Sequence, residues 1–140
     1  MATLSPPSGS DPIHLALIAI LVPSHEDGLA FFVDQLGFEV IEDTDMGGGK
    51  RWVRVAPRGA QTQFLLACAV GDQRAHIGQQ GGRRVWLFLH TDDFARDHAA
   101  MCAAGVTFAE APRHEAYGTV VVLTDPFGNR WDLIEPAATR

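Results

Sequence analysis

From Ile13 to Val22 every residue but His14 is apolar, and Pro23 closes the run. A membrane helix needs about 20 such residues; a short Ile-, Leu- and Val-rich run ending at proline predicts a buried strand. Ser24-His25-Glu26-Asp27 places a hydroxyl and an acid three residues apart, the pattern of a helix N-cap. Leu29, Phe32, Val33 and Leu36 follow at helical spacing, and Gly37 supplies the left-handed stop. Phe38–Asp45, Arg51–Ala56 and Gln61–Val70 read as strands, separated by turns at Gly47-Gly48-Gly49 and Pro57-Arg58-Gly59. The first half is thus β-α-β-β-β.

A polar stretch, Gly71–Arg84, separates this half from a second with the same order. Val85–His90 predicts a strand. Asp92 or Asp93 caps a helix through Phe94, His98, Met101 and Cys102, which stops at Gly105. Val106–Ala109, Tyr117–Thr124 and Arg130–Glu135 predict three strands, with a type I turn at Asp125-Pro126-Phe127-Gly128. The two stop glycines lie 68 residues apart, so the chain carries an internal repeat. The expected organisation is a disordered tail over 1–12, a βαβββ module over 13–70, a linker over 71–84 and a second module over 85–136. A four-stranded unit of about 60 residues cannot bury its own sheet face and must pair.

Composition narrows the function. The 140 residues are 46% hydrophobic and 20% charged, with a net charge of −6, which excludes wholesale disorder. One lysine and scattered arginines argue against nucleic-acid binding. No secretory signal pattern opens the chain, so a cytoplasmic location is expected. Cys68 and Cys102 lack metal or disulfide-framework spacing and read as core thiols. No nucleophile elbow, phosphate loop or dinucleotide fingerprint is present.

Leu29-Ala30-Phe31-Phe32 leading to Leu36-Gly37-Phe38, and the closing Asp125-Pro126-Phe127-Gly128-Asn129-Arg130-Trp131-Asp132-Leu133, resemble the vicinal oxygen chelate superfamily. That superfamily includes glyoxalase I, extradiol dioxygenases and bleomycin-resistance proteins. With the repeat, the likeness spans Ile13 to Pro136. It implies an α+β fold in which two βαβββ modules pair into an open curved barrel around a small-molecule cavity, commonly in a homodimer. It also implies, in many members, a divalent metal held from the first and last strands of each module. Carried onto this chain, those positions fall at Leu17, Gln63, Trp86 and Asp132. Leu17 and Trp86 have no lone pair to offer a metal. Strand geometry puts His14 about 10 Å from Leu17 and His90 about 13 Å from Trp86, too far to substitute. The expectation is therefore a cavity without metal, with Ni, Zn, Mn or Fe as the alternative.

Strand alternation continues the reading. Leu17, Ala19, Leu21, Gln63, Leu65, Trp86, Phe88, His90, Asp132 and Ile134 share the cavity face. The candidate ligand-binding residues are Trp86, Phe88, Arg54, Gln63, Tyr117 and Asp132. Arg54 offers a charge for an anionic group, Tyr117 a place at the rim, and His90 a candidate general base. His25, His76, His98 and His114 fall in helix or loop positions with ordinary packing or solvated roles. Two functions fit: a bleomycin-resistance-type binding protein for a small organic molecule, or a metal-dependent glyoxalase-like lyase or isomerase acting on a vicinal-oxygen substrate.

Overall fold

The structure, a computed structural model, describes residues 12–138. The tail expected over 1–12 lies, but for Pro12, outside the described residues. Among these residues nine strands and two α-helices follow the repeated order, with one strand more in the second half: β1 (Leu17–Val22), α1 (His25–Leu29), β2 (Glu39–Gly47), β3 (Lys50–Ala56) and β4 (Gln63–Cys68) in the first half. The second holds β5 (Val85–His90), α2 (Phe94–Ala103), β6 (Thr107–Phe108), β7 (Arg113–Glu115), β8 (Gly118–Thr124) and β9 (Arg130–Pro136). The sheets run β1-β4-β3-β2 and β5-β9-β8-β6, with β7 also on β8, and neither closes into a barrel. In each, the first strand lies parallel to the last, as a βαβββ unit requires. No helix among the described residues is long and apolar enough to cross a membrane.

Local signals act as the sequence suggests. The Asp27 amide donates to Ser24 Oγ at 3.0 Å, and the Arg96 amide to Asp93 Oδ1 at 3.1 Å. Gly37 and Gly105 take φ of 78° and 91° at the two helix ends. Four details differ. The strand begins at Leu17, leaving Ile13 and Leu15 exposed. After α1 the chain widens into a π-helical segment, Ala30–Gln35, whose Leu36 amide reaches the Phe31 carbonyl at 2.9 Å. The wider turn brings the adjacent Phe31 and Phe32 both into the core, where the α-helical stripe placed only Phe32. The Val106–Ala109 strand is shorter than expected, and a second piece, β7, continues its edge beyond Pro112. In the gap Glu110 Oε2 accepts the Val122 amide at 3.0 Å, doing the work of a missing strand neighbour. The linker is also structured: it opens with a 3-10 helix, Gly71–His76.

One apolar core joins the halves. Trp131 of β9 lies with its ring 5.6 Å from Phe64 of β4 and 5.8 Å from Phe32. Phe32 in turn stacks on Phe64 at 6.0 Å. The linker adds a polar stitch. Gln80 Oε1 accepts the Leu21 amide at 2.8 Å, and its Nε2 donates to the Ala19 carbonyl at 2.9 Å. A side-chain amide thereby satisfies the free edge of β1, which would otherwise offer unpaired backbone groups.

Candidate functional site

Because strand residues alternate, burying Ile20, Val22, Phe64, Leu66, Trp131 and Leu133 in the core turns the intervening residues to the opposite faces. On the second sheet Phe88, Asp132 and Val122 form one row across three strands, and His90, Ile134 and Val120 the next. Register neighbours of this kind sit about 5 Å apart. Phe88 is 59% exposed, whereas Asp132 beside it is only 9% exposed. Asp132 Oδ1 is buried and has no hydrogen-bond partner. The only other such side-chain atom among the described residues, Asn129 Oδ1, belongs to the β8–β9 turn.

The charges that act on Asp132 are mixed, Arg113 and Glu110. Arg113 donates to Glu110 at 3.0 Å and to Glu115 at 2.5 Å, and meets the Tyr117 side chain. Burial pushes the Asp132 carboxyl above its ordinary value; Arg113 pulls it down and Glu110 adds to the rise. Tyr117 is half-exposed at the rim of this corner.

The first sheet presents a separate group. Leu17 and Gln63 are register partners on β1 and β4. Arg54 hydrogen-bonds Gln63 Oε1 and pairs with Glu42 at 2.9 Å. With His14, Ala16, Trp52 and Gln61 they line an open pocket of about 390 Å³. The Arg54 charge is therefore already matched by a carboxylate. Trp52, 37% exposed, was not among the expected binding residues. Its signal was available, since it stands two positions from Arg54 on the same strand. Glu110 and Arg113 carry no such signal, because the first lies in the gap after β6 and the second opens β7, which is too short to show a period.

Trp86 departs from simple alternation. Val85 pairs with Arg130 but Leu87 with Trp131, so Trp86 is the extra residue of a register shift. It packs against the core and lies under Gly81, where an added Cβ would come 2.4 Å from Trp86 Cβ. His90, at the exposed end of β5, also borders a groove of about 560 Å³ between the halves, with Asp34, Arg58, Arg96 and Met101. The structure thus gathers the expected residues into two groups: Leu17, Gln63 and Arg54 on one sheet, Phe88, His90, Asp132 and Tyr117 on the other.

A metal finds no adequate donor set. Leu17 and Trp86 are apolar, Gln63 Oε1 serves Arg54, and among the described residues no three His, Cys, Asp or Glu side chains cluster to hold an ion. Three other histidines make local contacts. His98 stacks on Phe94 at 5.3 Å, His114 Nδ1 meets Thr119 Oγ1 at 3.2 Å, and His25 Nδ1 lies 3.3 Å from Cys68 Sγ. Cys68 is half-buried, but Cys102 is exposed on α2 rather than a core thiol. Only one face of that short helix is covered.

Paired βαβββ halves with mixed open sheets and a polar-centred apolar face define the vicinal oxygen chelate architecture. A sequence model of the Glyoxalase/Bleomycin resistance protein/Dioxygenase superfamily matches residues 14–133, and the chain belongs to that superfamily. An uncharacterised protein of Shewanella frigidimarina is 42% identical over 121 residues, covering 84% of this chain and 90% of that protein. Among solved structures, TnmS3, an antibiotic binding protein from Streptomyces sp. CB03234, superimposes with a TM-score of 0.73 at 29% identity, covering 90% of this chain and 98% of that one. A superfamily member from Sphaerobacter thermophilus gives 0.68 at 29% identity, covering 89% and 98%.

Proposed function

We propose that this chain is a metal-independent binding protein for a small organic molecule, received on the open sheet faces. The observation that carries this reading is the pairing of exposed Phe88 with buried, unpartnered Asp132, on a fold whose first-strand metal positions hold Leu17 and Trp86. An apolar surface with a few fixed polar groups is the usual make-up of a ligand site. The likeness to an antibiotic binding protein agrees with it. A homodimer belongs to the same reading: Val40, Ile41 and Met46 of β2 are exposed on a single chain, and a second copy would cover such surface.

The test is a titration of the purified protein with small aromatic antibiotics, read by tryptophan fluorescence, with Trp52 as the exposed reporter. Saturable quenching without added metal is the expected result. In parallel the protein is loaded with Ni, Zn, Mn or Fe and assayed for lyase or isomerase turnover of a hemithioacetal. A tight one-per-chain metal with turnover would replace the binding reading by the enzymatic one. Light scattering is expected to give twice the mass of the 15.2 kDa chain.

A further inference from the structure

The open face of the second sheet carries a chemical preference beyond general apolar binding. Asp132 is nine-tenths buried and its Oδ1 has no partner. A buried acceptor in that state gains most from a charged donor, because the alternative is an uncompensated loss of hydration. Arg113, the nearby cation, spends its hydrogen bonds on Glu110, Glu115 and Tyr117. Two carboxylates thus neutralise Arg113, which reaches Asp132 as a charge but not as a hydrogen-bond donor. Phe88, the register partner of Asp132 on the neighbouring strand, presents an exposed ring, and a ring face attracts a cation. His90, one row along on the same face, completes the titratable groups that border it.

We infer that this corner selects a cationic planar ligand, an aromatic molecule whose charged N–H pairs with the Asp132 carboxylate while its rings lie on Phe88. The inference rests on the binding function proposed above and names the class of molecule bound. No covalent step is involved. Selectivity comes from Asp132, because a neutral planar molecule can use Phe88 but leaves the carboxylate oxygen unmatched.

The probes are 9-aminoacridine, a cation at neutral pH through its protonated ring nitrogen, and acridine, which has the same rings and is neutral at that pH. Fluorescence titrations at constant pH compare the wild type with Asp132→Asn, Asp132→Glu and Phe88→Ala, each checked for folding by circular dichroism. Wild type is expected to prefer 9-aminoacridine by tenfold or more. Asp132→Asn should remove that preference with acridine affinity changed less than twofold. Asp132→Glu should retain it, and Phe88→Ala should weaken both probes. An undiminished preference in folded Asp132→Asn, or equal wild-type affinity for the two probes, would overturn the inference and leave the binding function standing. Failure of both probes to bind would overturn this inference, and the binding function would then stand or fall by the antibiotic titration.

Discussion

Replacing Asp125 by alanine tests how the β8–β9 turn is held. Asp125 is 3% exposed, yet its carboxylate accepts five hydrogen bonds. Oδ1 takes the amides of Phe127, Gly128 and Asn129 at 2.9–3.0 Å, and Oδ2 takes Asn129 Nδ2 and Trp131 Nε1 at 3.0 Å. Three of these bonds, those to the Asn129 amide, Asn129 Nδ2 and Trp131 Nε1, are buried. Stranding a buried donor costs about 1–3 kcal/mol, so Asp125→Ala should cost about 3–6 kcal/mol, with partial entry of water keeping it below the full sum. That is a large share of the roughly 5–15 kcal/mol that holds a domain folded. Asp125→Asn keeps one oxygen for the turn amides but points an NH2 group at the other two donors, and should cost about 2–3 kcal/mol. Urea unfolding followed by tryptophan fluorescence and circular dichroism measures both. An Asp125→Ala loss below about 1 kcal/mol would refute the assignment.

Gly78→Ala should cost about 2–4 kcal/mol, since φ is +74° and the new Cβ would meet the Phe127 carbonyl oxygen at 1.8 Å. Gly48→Ala, at φ +62° in open space, should cost only about 1 kcal/mol in the same unfolding assay. Asp132→Asn should melt above wild type at pH 7, by roughly 3 °C for about 1 kcal/mol. The raised carboxyl means that wild-type stability falls as pH climbs from below the unfolded value near 4 through the higher folded one, so the two proteins should converge at pH 3. Asp97 has the opposite sign: its hydrogen bond from Arg96, aided by Thr91, holds the carboxyl below its ordinary value. Its stabilisation, under about 1 kcal/mol, is present above pH 4 and lost as pH falls through the lower folded value, so Asp97→Asn and wild type should differ at pH 7 and converge in acid.

Much of the architecture was legible along the chain, because strand alternation, caps and stop glycines are local signals. Ser24, Asp93, Gly37 and Gly105 act where their neighbours predict. The superfamily motif at residues 125–129 was legible as a turn; its bond to Trp131 was not, because it reaches past the turn into the following strand. The candidate site was legible in part. Alternation put Phe88 and Asp132 on one face, and the register agrees. It also put Trp86 there, but the register shift turns Trp86 toward the core and Gly81, and no residue type announces a bulge of that kind.

What the amino-acid order determined by itself was the repeat, the fold it implies and the apolar residues at the first-strand metal positions. Each depends on side-chain chemistry and short-range spacing. What only the tertiary structure decided was which charges are already spent: Arg54 on Glu42, Arg113 on Glu110 and Glu115, and none on Asp132 Oδ1. A charge is available to a ligand only if no partner distant in sequence has reached it first, and distance in space is set by packing rather than by residue number.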